Sequence, residues 1–527
     1  MIEEKFTARN SRLAPLTNSQ ERQPGQSRAT GLLPLALGQY ASSSAKVART
    51  ARILSFSIIM AVGGFFWATI REGHEWGDDF SLYILHARNI AEGVSYQQTG
   101  YIYNPALALI GPRTYPPVFP LLLSPIYKIW GLNLTAMKIE VVAIFLLSLA
   151  VIYLAFRKYL PWPYLVALLA IIGFNPYIWQ FKDNIVSDLP FLSLIYFGIF
   201  LINRVYETDS TDRPRSYDAL LVSMAIYLAY GARSIGLALL LCLLAYDLLK
   251  NRKPTAFAIK VVIITGTFFA IQSVFLHSDR AYADQLGIDL SGVISRAWGY
   301  TSELSFLLAG ASHKVFRIPM VVAISGLAII GYFTKVSRQI TLFELFPVVY
   351  LIPLLIWGAP MDVRFLLPVF PLYFFYAFLG LQTVSRNKKR ESLAFLTMLV
   401  VILVAYSAQY ARLDYGPIRE GIARNETKQL FDYIRNDTSE SDVFVFRKPR
   451  ALALFTGRKA SALHRDPDDQ ALWKYLRRIE ATYLVLGPKQ LEPDDQEFLR
   501  NFIARNKDRL QETFTNSDFQ VYRVKEQ

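Results

Sequence analysis

The chain has 527 residues, of which 53% are hydrophobic and 19% charged, with a formal net charge of +14. It is too apolar and too poor in surface charge for a soluble enzyme, and calls for a second solvent. The positive excess falls at the ends of apolar runs rather than in a basic and aromatic module, which argues against nucleic acid and fits retention of Lys and Arg on the cytoplasmic side.

Residues 1–52 are polar and rich in Ser, Gln and Arg, which predicts a disordered basic cytoplasmic tail. The first apolar run, Ile53 to Ile70, follows Arg49 and Arg52. It therefore reads as a retained signal anchor running from inside to outside. Residues 71–134 then form an external loop with a helix from Phe80 to Gly93. The apolar run from Tyr115 to Gly131 is interrupted by Pro116, Pro117, Pro120 and Pro125. Counting it as a span would put Arg157 and Lys158 outside and invert every later loop, so it is assigned to a helix in the outer interface.

The second span is then about Thr135 to Phe156 and the third about Tyr164 to Phe181. Later inside loops carry Arg204, Arg213 and Arg215, then Lys250, Arg252 and Lys253, then Lys335 and Arg338, and finally Arg386 to Arg390. External joints fall at Asp183 to Asp188, at Arg233, across a long loop at 277–317, at Gly358 to Asp362 and after Tyr410. The fold class is a polytopic α-helical membrane protein of about eleven spans, 53–410, with external interfacial helices. A small C-terminal soluble α/β domain, 411–527, follows on the outside, with a helix around Thr427 to Arg435 and strands at Val443 to Phe446, Thr482 to Leu486 and Phe519 to Val524.

Ionisable residues within spans, such as Lys138, Glu140, Asp218, Asp247, Lys260 and Glu344, lie near the span ends. An ion or proton relay would need them at mid-depth. The single cysteine, Cys242, sits in an apolar run and reads as a small buried hydrophobe. Function should therefore collect on the external face.

The first external loop is the richest place. Gly77-Asp78-Asp79 opens a helix whose N-terminal dipole favours carboxylates. Asp78 reads equally as an N-cap and Asp79 as a first-turn acid, or as a carboxylate that takes a proton from an acceptor hydroxyl. Arg233 and Arg364 stand at external joints, as anchors or as forked donors for a phosphate. Asp188 could orient a substrate or cap its helix. His74 and His86 flank the acidic pair at uneven spacing, a weak metal signal in which interfacial polar residues are the more common outcome.

Asp79 with Tyr83, Ala87-Arg88-Asn89 and Gly93, then Tyr115-Pro116-Pro117, Ser187-Asp188-Leu189-Pro190 and Arg364-Phe365-Leu366-Leu367-Pro368, resembles the GT-C class of integral-membrane glycosyltransferases. Its flavour is similar to that of bacterial lipid A aminoarabinose transferases and protein O-mannosyltransferases. The resemblance implies a sugar donor linked to polyprenyl phosphate, and an envelope glycan, lipid or protein as acceptor on the extracytoplasmic face of the inner membrane. It places the essential acid at Asp79. Phe80 stands where an acidic partner often occurs, so Asp78 is the candidate second carboxylate. Arg233 and Arg364 would hold the donor phosphate, and Tyr83, Arg88 and Asp188 the substrates. No cofactor is certain, and a divalent cation is left open. A transporter or flippase and a non-catalytic envelope scaffold stand as alternatives.

Overall fold

The computed structural model describes residues 45–207, 216–276, 289–310, 314–358, 361–466, 468–488 and 491–525. The part of the expected tail at 1–44 and the joint at 277–288 lie outside them. Helix α1 (Ala45–Ala68) begins ahead of the expected span and takes in 45–52, because that stretch continues the helical run without a breaker. The first loop holds α2 (Asp79–Glu92) and α3 (Val118–Trp130), followed by α4 (Leu134–Phe156), α5 (Trp162–Gly173), α6 (Pro176–Phe181), α7 (Asp188–Glu207), α8 (Ser216–Ala232), α9 (Ala238–Asn251) and α10 (Ala256–Phe275). Helices α11 (Leu290–Ala309), α12 (Lys314–Val336), α13 (Leu342–Ile356), α14 (Phe370–Val384) and α15 (Lys388–Tyr410) complete the bundle.

Among the described residues seven helices, α1, α4, α7, α9, α10, α12 and α15, are long and apolar enough to cross a bilayer, α9 together with the short turn that precedes it. Among the described residues five shorter apolar helices, α3 of the first loop and α5, α8, α13 and α14, are interleaved with them in the chain. Side-chain bonds define the two ends of the bundle. At one end Lys138 donates to the carbonyls of Arg71 and Gly73, and Tyr410 donates to that of Phe174. At the other, Lys158 pairs with Glu207, Lys250 donates to the Tyr206 carbonyl, and Tyr164 reaches Glu391. The basic clusters thus gather opposite the end that carries the first loop.

Two expectations change. The third span is broken: Asn175 accepts from the backbone of Tyr177 and Ile178, capping the short α6 just after α5 ends, because Pro176 disfavours a helical conformation in the residue before it. The long loop at 277–317 contains a helix, α11, and Asp289 caps it by accepting from Gly292. One close approach is worth naming. A Cβ on Gly331 of α12 would lie 1.9 Å from the Tyr376 carbonyl oxygen of α14, and one on Gly380 1.9 Å from that of Leu327, so two small residues let these helix backbones touch.

Beyond α15 come α16 (Asn425–Asp437), β1 (Val443–Val445), α17 (Pro449–Thr456), β2 (Lys459–Ser461), α18 (Asp469–Arg478), β3 (Tyr483–Leu486), α19 (Pro493–Arg505), β4 (Leu510–Thr515) and β5 (Gln520–Val524). The sheet order is β2-β1-β3-β5-β4. Strand β1 is parallel to β2 and β3, whereas β5 is antiparallel to β3 and β4. Strands β2 and β4 were not legible as alternating runs. The apolar residues of one face, including Val445, Leu484 and Leu486, pack on Leu472, Trp473, Leu499 and Phe502. Those of the other, including Phe444, Phe446 and Val521, join the core of the helical bundle. Trp76 of the first loop makes edge contacts with Phe431, Phe446 and Phe519. The first loop also extends the sheet, since Ile102 and Gly100 exchange backbone bonds with Ala460 of β2.

Candidate active site

The first loop enters α2 through a strained turn. Asp78 has φ 71°, and Asp79 N–H donates to the Gly77 carbonyl at 3.0 Å, the geometry of a γ-turn that side chains other than Gly adopt at a cost of about 1–3 kcal/mol. As N-cap, Asp78 makes no side-chain bond to its own helix. Its Oδ1 instead accepts from the backbone N–H groups of Arg450 and Ala451, at 3.2 and 3.1 Å, at the start of α17. Asp78 is buried; desolvation pushes its carboxyl up, against the opposing pull of Arg450. It joins the sheet domain to the first loop.

Asp79 differs. Its Oδ1 accepts from the Tyr115 hydroxyl at 2.6 Å and from Arg450 at 3.1 Å, and its Oδ2 accepts from Arg364 at 3.2 Å. Burial pushes this carboxyl up, but Arg364, Arg450 and Tyr115 outweigh it and hold Asp79 below the ordinary carboxylate range. The side chain keeps 29% exposure.

Arg364 belongs to the turn before α14, where Asp362 accepts from its backbone N–H and pairs with its Nε at 3.1 Å. It also lies 4.0 Å from Asp188. Arg233, between α8 and α9, donates to Asp188 at 2.5 Å. Phe365 sits against both guanidinium groups, with centroid distances of 5.3 Å to Arg233 and 5.2 Å to Arg364. Asp188 thus pairs with two arginines as well as opening α7. Tyr83 stacks on Tyr115 with ring centroids 4.6 Å apart and bonds the Ser187 hydroxyl at 2.8 Å.

Two cavities meet at this cluster. One, of about 630 Å³, is lined by Tyr83, Tyr115, Arg233 and then by apolar residues of α9 and α13, such as Leu237, Leu241, Pro353, Leu354 and Trp357. The other, of about 640 Å³, is more polar; Arg71, Glu75, Tyr177, Gln180, Asn184 and Arg419 are among its walls. Asp79, Asp362 and Arg364 line both.

Of the expected site residues, the structure brings together Asp79, Tyr83, Asp188, Arg233 and Arg364. Asp78 touches the ion-pair network but faces α17. Arg88 borders neither cavity; it lies on α2, where its charge acts on Tyr127. Both histidine rings that flank the acidic pair are engaged by the protein itself. His74 places Nδ1 on the Glu75 carbonyl and accepts from Ile185 N–H at Nε2. His86 places Nδ1 on the Tyr96 carbonyl and accepts from Tyr115 N–H. Both rings are buried, desolvation pushes each down to about 3, and neither keeps a nitrogen for a metal. Among the described residues no three His, Cys, Asp or Glu are grouped as metal ligands. Both oxygens of Asp79 lie on guanidinium groups.

Sequence reasoning missed Tyr115 as a partner of Asp79 and missed Arg450 altogether. Arg450 is fully buried, donates to Asp79, Tyr115 and the Ile110 carbonyl, and stacks over Tyr101 and Tyr115. Its only signal was a Pro at the start of a helix, Pro449, with a cation beside it.

No family model matches this sequence, and no curated protein does. Solved structures match in fold. The structure of ArnT from Cupriavidus metallidurans bound to undecaprenyl phosphate aligns with a TM-score of 0.55 at 13% identity, over 89% of this chain and 97% of that one. The apo oligosaccharyltransferase of Archaeoglobus fulgidus aligns at 0.54 and 12% identity, over 82% and 70%. The same archaeal enzyme, AglB, in complex with an inhibitory peptide and a dolichol-phosphate aligns at 0.51 and 12%. The chain therefore has the fold of GT-C glycosyltransferases.

Proposed function

We propose that this protein is a glycosyltransferase of the inner membrane that moves a sugar from a polyprenyl-phosphate carrier to an acceptor on the extracytoplasmic face. The observation that carries the reading is the junction of an apolar and a polar cavity at one carboxylate and its arginines. A prenyl chain fits the apolar walls of α9 and α13, its phosphate within reach of Arg233 and Arg364. The acceptor enters from the polar side. Among the fold neighbours, ArnT binds undecaprenyl phosphate and AglB binds a dolichol-phosphate.

In the reaction Asp79 takes the proton of the acceptor hydroxyl as its oxygen attacks the anomeric carbon. The bond from that carbon to the phosphate oxygen breaks, and the electron pair leaves on the phosphate. Arg233 and Arg364 stabilise that charge with fixed donors. The proton then leaves Asp79 toward the polar cavity. Attack opposite the leaving group inverts the anomeric centre. Asp78, committed to α17, is not the base.

On this reading the N-terminus is cytoplasmic, the end bearing Asp79 is outside, and 411–527 form the extracytoplasmic domain. The charge distribution supports it, since the basic clusters lie at the far end of the bundle. A transporter or flippase is disfavoured because Lys138, Asp247 and Glu344 bond at the two ends. The test is a deletion strain carrying wild-type protein or D79N. Lipid-linked sugar should accumulate, and one envelope product disappear, with the empty vector and with D79N alike; restoration of the product by D79N would overturn the reading.

A further inference from the structure

We infer that Arg450, delivered by the sheet domain through α17, is a positioning residue for the base, so that this domain completes the catalytic unit. The inference rests on the reading of Asp79 as the base.

One buried guanidinium bonds Asp79, its partner Tyr115 and the carbonyls of Ile110 and Pro112. Arg450 Nη1 donates to Asp79 Oδ1 at 3.1 Å and to the Tyr115 hydroxyl at 2.9 Å. The Tyr115 hydroxyl donates in turn to the same Asp79 oxygen at 2.6 Å. Arg450 Nη2 donates to the Ile110 carbonyl at 2.5 Å, fixing the segment just before Tyr115. Arg450 thus occupies one oxygen of the base together with Tyr115, leaving the Oδ2 side with Arg364 at the junction of the two cavities.

The attachment of Arg450 is itself built. Pro449 starts α17, and the next two amides close on Asp78. That carboxylate lies at the centre of the strained turn that aims Asp79. The same helix therefore restrains the turn through its backbone and the base through its side chain. A buried guanidinium needs such partners, since leaving it unpaired costs several kcal/mol. Here the requirement ties docking of the sheet domain to the ionised state of Asp79. Arg450 borders neither cavity; it acts through Asp79 and Tyr115.

The test uses full-length protein in lipid vesicles. Infrared difference spectra between each variant and the same variant carrying D79N isolate the Asp79 carboxyl without any substrate. With R450M the protonation midpoint should rise by about one pH unit or more, the usual effect of losing an opposite charge in contact. R450K should keep most of the wild-type midpoint. In the deletion strain, product formation should fall about ten-fold or more with R450M and recover in part with R450K. Should R450M fail to accumulate, Y115F carries the test, because it removes the hydroxyl that links Arg450 to Asp79 without stranding a charge: its midpoint should rise and its product fall. An unchanged Asp79 midpoint in a folded R450M or Y115F, or equal defects in R450M and R450K, would overturn the inference. Activity of D79N would instead overturn the assignment of the base.

Discussion

Replacing Arg233 separates a structural ion pair from a phosphate-binding one. Arg233 is 19% exposed and Asp188 4%, and they are 2.5 Å apart. Removing one member of a buried pair costs about 3–5 kcal/mol, whereas removing both is close to neutral. In R233Q the stranded Asp188 carboxylate still has Arg364 at 4.0 Å, an attraction on the order of 4 kcal/mol at an effective dielectric of 20. Asp188 should therefore draw Arg364 off Asp79. Each charge-assisted contact to a phosphate contributes about 1.5–3 kcal/mol, a roughly 10- to 150-fold change in Kd. R233Q should thus lose thermal stability and undecaprenyl phosphate binding together, and D188N/R233Q should regain the stability but not the binding. Trp357 lines the apolar cavity, so its quenching, taken as wild type minus W357F, reports occupancy in purified protein. Wild-type affinity in both variants would refute the phosphate role, and affinity restored in the double variant would assign Arg233 to structure alone.

Other expected outcomes follow from the same geometry. Burial holds the His74 and His86 rings down to about 3, so below the unfolded value near 6.5 the unfolded chain takes up protons that the folded one refuses. Folded stability should fall by about 1.4 kcal/mol per histidine for each pH unit lost in that window, and a thermal midpoint that stays flat between pH 7.5 and 5.5 would contradict it. Leu241 is 49% exposed on the wall of the apolar cavity; L241W should weaken carrier binding while leaving the unfolding midpoint within about 1 °C, and unaltered binding would show that the chain runs elsewhere. Chelation of divalent cations should leave sugar transfer in washed membranes unchanged, because Asp79 is held by arginines; loss restored by added metal would refute that.

The bundle was legible because its physics is local. Apolar run length and loop charge are read within a few residues, and the rejection of Tyr115 to Gly131 as a span agrees with a helix of only thirteen residues, α3, that packs on α2. The break at Asn175 was also local but hidden, since a run that is apolar on both sides of a Pro reads as continuous. At the site, Asp79, Arg233 and Arg364 could be singled out because charge at a helix joint is costly in an apolar chain. Arg88 lies away from both cavities: its place in a motif says nothing about which face of α2 it takes. Arg450 was illegible in principle. It lies in an amphipathic soluble segment where arginines are ordinary, and only the fold brings it to a carboxylate hundreds of positions earlier. The strands β2 and β4 are short or mostly polar, and pairing rather than pattern defines them.

The most direct measurement is transfer by purified protein in vesicles, with lipid-linked sugars extracted from the deletion strain as donor and the cell envelope as acceptor. Wild type should release free polyprenyl phosphate and form one new glycosylated product. D79N should bind the carrier with unchanged affinity and lose about 100-fold or more of the rate, the usual scale of a positioned base. Full-rate transfer by D79N, or carrier consumption by neither protein, would contradict the assignment.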